Sequence, residues 1–159
     1  MVRPNSNKYL SQGENSILML KSGSSVLVDS EDVPLLSRYS WFDNGNGYIA
    51  SKGKEGKIFL HRLVMGAPSD TVVDHINFDP MDNRKSNLRI CTQQQNTLYQ
   101  RSRKKHKGVY LNKRTGKYYI HVRIDGKTVH GGTFESIDEA VDEYQRLARL
   151  HYGEFAYIT

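Results

Sequence analysis

The sequence predicts an α+β protein built as two small units, a β-rich body followed by a three-stranded sheet with one covering helix. Three observations carry this. Residues 17–60 hold short apolar runs broken by turn residues. Residues 72–97 read as strand, polar loop, strand and helix. Residues 117–124 alternate apolar and polar with period two and lead into a capped amphipathic stretch. A chain of 159 residues with 37% hydrophobic content suits one ordinary domain or two small ones.

Taken in order, Ile17-Leu18-Met19-Leu20 and Ser25-Val26-Leu27-Val28 are expected strands around the turn at Gly23. Ser30 is placed to cap a short helix over residues 31–37. Trp41-Phe42 and Tyr48-Ile49-Ala50 flank Asn44-Gly45-Asn46-Gly47, a hairpin signal because Asn-Gly tolerates the positive φ of tight turns. Lys57-Ile58-Phe59-Leu60 is a further strand, with His61 and Arg62 at its end. Val72-Val73 runs as a strand into Asp74-His75, and Leu88 to Cys91 returns. Thr92 and Gln95 form a capping box, so a helix begins near Gln93 and carries Asn96 in its first turns. Residues 101–107 are a basic linker between a 1–100 domain and a 108–159 domain. Within the second, residues 108–111, 117–124 and 127–134 are strands. Ser136 and Glu139 box the start of a helix with Ile137, Ala140, Val141, Tyr144, Leu147 and Ala148 on one stripe, ended by Gly153.

A net charge of +6 favours polyanionic partners. The single cysteine, Cys91, excludes an internal disulfide and a Cys-X-X-Cys zinc site, and fits a reducing cytoplasm. No apolar run approaches the ~20 residues of a membrane span. The stretch Met-Val-Arg-Pro-Asn-Ser at the start has no apolar core of a secretion signal.

The chemistry concentrates between residues 74 and 96. Phosphodiester hydrolysis needs an activated water, a task a neutral imidazole performs near pH 7. It also needs a stabilised leaving oxygen, which a hard divalent cation supplies. His75 offers the imidazole. Asp74 and Asn96 offer oxygen donors that suit one Mg²⁺ or Mn²⁺ ion better than Zn²⁺. Neighbouring strand residues point to opposite faces, so Asp74 and His75 approach one site only where the strand ends or twists. Asn87 is expected to bond backbone across the loop and fix the hairpin that carries His75. Asn83 and Arg84 read as loop-stabilising, and Arg84 and Arg89 are also candidate DNA contacts.

The stretch Asp74-His75, Asp82-Asn83-Arg84, Asn87-Leu88-Arg89 and Asn96 resembles the HNH endonucleases, in the HNN variant of phage intron-encoded homing enzymes. The resemblance covers about residues 55–100. It implies a ββα-metal fold, His75 as general base with Asn87 as the structural asparagine of the catalytic motif, and Asp74 and Asn96 as metal ligands. The implied products are a 5′-phosphate and a 3′-hydroxyl. Asn96 stands where many relatives carry histidine, which implies looser metal binding. The same resemblance implies a phage- or mobile-element-encoded protein in the cytoplasm of a bacterial host.

Residues 97–131 hold ten Lys or Arg against one acid, Asp125. Lys117, Tyr119, His121 and Arg123 share one strand face, opposite Tyr118, Ile120, Val122 and Ile124. A basic-aromatic sheet face of this width suits a DNA major groove. Residues 106–158 resemble the AP2 DNA-binding domain in Lys107-Gly108-Val109, Gly116-Lys117, Val122-Arg123, Gly132-Thr133-Phe134, Glu139-Ala140, Tyr144 and Gly153-Glu154-Phe155-Ala156. The resemblance implies a sheet inserted in the major groove, with Lys107, Tyr110, Lys113, Arg114, His121, Arg123, Thr128 and His130 as contacts. Tyr110, His121 and His130 stand where plant members carry arginine, glutamate and tryptophan, so only the docking mode carries over. Lys117, Tyr119 and Lys127 on the same sheet and Arg101, Arg103, Lys104 and Lys105 in the linker complete the expected DNA-binding set. The expected activity is metal-dependent cleavage of double-stranded DNA, by a monomer on its target with a dimer left open. The rival expectation is a DNA-binding regulator on an inert HNH scaffold.

Overall fold

Leu18 on one strand faces Val26 on the next, and Ser16 faces Val28, so one side of this pair is closed to solvent. That side seeds the core of the first unit. The computed structural model of the protein describes residues 7–54, 56–99 and 106–156, and its compact units divide after Cys91. In the first unit, β1 (Lys8–Gln12), β2 (Asn15–Met19) and β3 (Ser25–Asp29) form an antiparallel meander. The edge strand β1 is almost wholly exposed, and its mixed, mostly polar sequence gave no apolar signal.

A 3-10 turn at Ser30–Asp32 leads into α1 (Val33–Leu36). Ser30 does not cap it. Its hydroxyl donates to Gly13 O at 2.8 Å and meets Ser16 Oγ at 2.8 Å, so the competing tertiary partners win the side chain. Then β4 (Phe42–Asp43), β5 (Ile49–Gly53) and β6 (Gly56–Phe59) make a second meander. Its first turn takes positive φ at Gly45 and Gly47, as the Asn-Gly pairs demand. Residues after Phe59 are helical: α2 spans Leu60–Val64, placing His61 in a helix rather than at a strand end. Apolar Leu60 and Val64, four apart, both turn into the core.

The hairpin β7 (Val72–His75) and β8 (Leu88–Cys91) closes the unit. Val73 and Leu88 join Leu18, Val26, Val28, Leu36, Trp41, Ile49 and Leu60 in one apolar cluster. The β-rich segment and the hairpin therefore share one core.

In the second unit, α3 (Gln93–Tyr99) has the expected box: Gln95 Oε1 accepts from Thr92 N at 2.8 Å, and Gln95 N donates to Thr92 Oγ1 at 3.2 Å. The expected boundary lay at residue 100. The structure instead groups α3 with the C-terminal part of the chain, where it packs on a 3-10 turn at Gly153–Phe155. Strands β9 (Val109–Leu111), β10 (Tyr118–Ile124) and β11 (Lys127–Phe134) form a sheet in the order β11-β10-β9. The helix α4 (Ile137–Tyr152) starts with the Ser136/Glu139 box and ends at Gly153, φ 54°. Ile120 and Val122 from the sheet are buried with Ala140, Tyr144 and Ala148 from the helix. No helix of the described residues is long and apolar enough to cross a membrane.

Candidate active site and nucleic-acid surface

The pleat of β7 sends Val73 and His75 into the body and Asp74 to the other face. Pairing ends at His75, opposite Leu88, and the chain turns away through Phe78 at φ 63°. The polar loop between the two strands is dense with bonds to its own backbone. Asn77 Oδ1 accepts from Asp79 N at 2.8 Å, and Asp79 Oδ1 accepts from Met81 N at 2.9 Å. Asn87 spans it: its Oδ1 accepts from Asn77 N at 3.0 Å, and its Nδ2 donates to Asn77 Oδ1 at 2.9 Å and to Asp82 O at 2.8 Å. The loop is also sewn to β3, because Leu27 N donates to Met81 O and Asn83 N donates to Leu27 O, each at 2.8 Å. Lys85 ties it further to Asp32 and Glu31 at 2.8 and 2.7 Å.

His75 is buried, 6% exposed. Its Nε2 lies 3.4 Å from Asn83 Oδ1. Asn83 Nδ2 donates to Pro80 O at 2.8 Å, which turns the amide oxygen toward the imidazole. An oxygen there can only accept, so Nε2 carries the proton and Nδ1 keeps its lone pair. Burial pushes the His75 pKa below the ordinary histidine value. The Asn83 bond and the charges of Asp74, Asp79 and Asp82 oppose that shift. The ring sits in an aromatic wall, 5.3 Å from the His61 ring and 6.3 Å from Tyr48, centroid to centroid. His61 is buried too, its Nδ1 without a hydrogen-bond partner. Burial, then the neighbouring charges of His75 and Arg62, push its pKa down to about 4, so it stands neutral at pH 7.

Asp74 faces Arg89 across the hairpin. The guanidinium donates to Asp74 Oδ2 from Nε at 3.0 Å and from Nη2 at 2.8 Å, with both side chains about nine-tenths buried. The pair engages Oδ2 and leaves Oδ1 outside it. Asp74 thus retains one oxygen for a hard cation. A carboxylate and the amide oxygen of an asparagine such as Asn96 are donors of the kind Mg²⁺ or Mn²⁺ takes. Among the described residues no cluster of three or more His, Cys, Asp or Glu is placed to hold a metal ion. Asn96 lies on α3, in the other unit from Asp74 and His75.

The remaining expected contacts divide into committed and outward-facing groups. Arg84 grips Asp82 through Nε and Nη2 at 2.8 and 2.7 Å, and that bond holds the Asp82 carboxyl below the usual carboxylate range. Lys107 is half-buried and donates to Leu98 O, and its burial lowers its pKa. Lys117 pairs with Glu135 at 2.5 Å. Lys113, Arg114, Arg123, Lys127, Thr128 and His130 are exposed. Arg101, Arg103, Lys104 and Lys105 lie outside the described residues. Tyr110, Tyr119, His121 and His130 meet ring to ring across three strands, the two tyrosines stacked at 5.4 Å and 18°.

Sequence reasoning gave Asn83 only a loop role and placed His61 at a strand end. The signal for Asn83 was present in Asp82-Asn83-Arg84. Its contact with a histidine eight residues away depends on how the loop folds back, which no spacing rule encodes.

A family model described as HNH endonuclease matches residues 59–98. An HNH endonuclease of Acanthamoeba polyphaga mimivirus, named as uncharacterized, is 31% identical over 140 residues, 84% of this chain and 74% of its own. No solved structure matches. The comparisons give no support to the AP2 resemblance of the second unit, whose sheet-and-helix build stands on the structure alone.

Proposed function

On the premise that the chain belongs to the HNH endonuclease family, we propose a metal-dependent, site-specific homing-type endonuclease that hydrolyses phosphodiester bonds of double-stranded DNA. The observation that carries this reading is the buried, neutral His75 with Nε2 held by Asn83. His75 Nδ1 removes a proton from water as the water oxygen attacks phosphorus. The bond from phosphorus to the 3′-oxygen breaks, leaving a 5′-phosphate and, once that oxygen takes a proton, a 3′-hydroxyl. One Mg²⁺ or Mn²⁺ ion, for which Asp74 offers a carboxylate oxygen and for which the resemblance implies Asn96 as the second oxygen donor, would neutralise phosphate charge and stabilise the departing oxygen. Asn87 holds the loop that keeps Asn83 against the imidazole. Arg89 fixes the Asp74 carboxylate in one orientation.

The second unit docks its sheet in the major groove, in the manner the AP2 resemblance implies, and positions the nuclease as a monomer. A phage or other mobile element and the bacterial cytoplasm fit this use.

The test is relaxation of supercoiled plasmid carrying candidate target DNA, with Mg²⁺ or Mn²⁺. We expect cleavage that stops with EDTA and falls by at least about 10²-fold in His75→Ala, the low end of what a general base contributes. Unchanged cleavage in His75→Ala would remove the base from the scheme. The second reading, a regulator on an inert scaffold, is favoured by the Arg89 guanidinium that occupies Asp74 Oδ2. DNA binding with no cleavage under any metal or target would establish it.

A further inference from the structure

The sheet of the second unit presents two unlike faces. Ile120 and Val122 are buried beneath α4. On the other face Tyr110 of β9, Tyr119 and His121 of β10 and His130 of β11 form an unbroken row of rings. Their centroids are 5.4 Å apart from Tyr110 to Tyr119, 5.2 Å from Tyr119 to His121 and 6.0 Å from His121 to His130. Exposed Arg123, paired in register with Thr128, continues that face, and Lys113 and Arg114 stand at the β9–β10 turn. Cations therefore edge the surface, while its centre is carbon-rich. The charge is segregated to match: residues 97–131 hold ten Lys or Arg and one acid, and six acids lie in residues 132–159. A polyanion is the complementary partner. Three strands at about 4.8 Å spacing span about 10 Å, within a major groove of about 12 Å.

Groove chemistry limits what such a centre can read. Guanine is recognised best by two parallel donors of one arginine or by lysine, and adenine by the amide of Asn or Gln. None of the four central residues is of these types. A phenol or an imidazole makes single hydrogen bonds and otherwise offers ring surface. The apolar group that the major-groove code provides is the thymine 5-methyl. We propose that this ring row is a thymine-reading surface, which selects duplexes whose major groove carries thymine methyls beneath the sheet. The proposal rests on the double-stranded DNA reading above and adds its base preference.

The experiment is an anisotropy titration of the full chain in EDTA. The probes are an A·T-rich duplex, the same duplex with every thymine replaced by deoxyuridine, a G·C duplex and the matching single strand. Deoxyuridine keeps pairing, phosphates and groove edges but lacks the methyl. The expected result is roughly five- to tenfold tighter binding to the thymine duplex than to its deoxyuridine twin, the size of a few buried methyl contacts. The Tyr119→Ser/His121→Ser variant should bind the two alike while keeping its salt dependence. Equal affinity of the unaltered chain for both duplexes, preference for the G·C duplex, or tighter binding to the single strand overturns the thymine proposal and leaves the nuclease reading standing. Absence of duplex binding at low salt overturns both.

Discussion

At the scale of single residues the site turns on which nitrogen of His75 is free. Asn83 is 1% exposed and has its amide fixed by Pro80 O, so its oxygen selects the tautomer. Burial lowers the His75 pKa, which sets the direction of the pH dependence. The base is active when neutral, so activity persists below pH 6.5, the ordinary histidine value, and is lost as protonation overtakes it in more acid solution. Asn83→Asp would set a carboxylate against Nε2, favour the charged imidazole and move the acid limb of the pH–rate profile upward. Asn83→Leu removes the bond that raises the pKa, so the limb should move down, with the plateau falling by about 10- to 100-fold as the ring loses its orientation. A profile superimposable on the parent in both variants would leave Asn83 a loop residue. The cross-loop backbone bonds of Asn87 were readable at this scale, from an asparagine set in a tight polar loop. The partner of Asp74 was not readable. Pairing it with Arg89 needs the β7–β8 register, and a long polar run between strands does not set one.

At the scale of elements, local signals carried furthest where the chemistry is local. Both capping boxes formed, because Thr92 with Gln95 and Ser136 with Glu139 need only their own first turn. The Asn-Gly turn formed for the same reason. Signals failed where tertiary partners compete, as when Ser30 left its helix for Gly13 and Ser16, and Leu60, expected to end a strand, instead opens α2. Gly108 shows an element decided by space. Its φ is 76°, and a Cβ there would lie 2.0 Å from Tyr144 Cε2 of α4. Gly108→Ala should therefore destabilise the second unit by about 2–4 kcal/mol, from left-handed strain plus overpacking. Two probes separate the units. The only tryptophan, Trp41, is buried in the first unit, while α4, with 16 residues, dominates the helical signal. In a denaturant titration the circular-dichroism transition should move to lower concentration and the tryptophan transition should stay in place. An unshifted helical transition would mean that Tyr144 yields without cost.

At the scale of the whole molecule the boundary expected from the sequence lay at residue 100, and the compact units of the structure divide after Cys91. Sequence order attached α3 to the hairpin before it, whereas the structure groups it with the sheet-and-helix unit through the turn at Gly153–Phe155. Contacts between residues so far apart in the chain leave no local pattern. Charge does leave one. Residues 1–91 hold eleven Lys or Arg against ten acids, so the first unit is nearly neutral, and residues 92–159 hold twelve against seven. The excess of the second unit lies ahead of Glu135, on the sheet side of the sequence. Binding driven by such a surface gains from release of counterions off the DNA, so its logarithm should fall linearly with the logarithm of salt. If about six phosphates are neutralised, the slope is about −5, and affinity drops by roughly 10³-fold between 50 and 200 mM salt. Lys113→Gln/Arg114→Gln removes two exposed cations from the β9–β10 turn and should make the slope shallower by about 2, weakening binding to all duplexes alike. Lys85→Gln, whose ammonium is spent on Asp32 and Glu31 in the first unit, should leave the slope where it was. A slope that responds to Lys85 and not to the turn would place the phosphate contacts on the wrong unit.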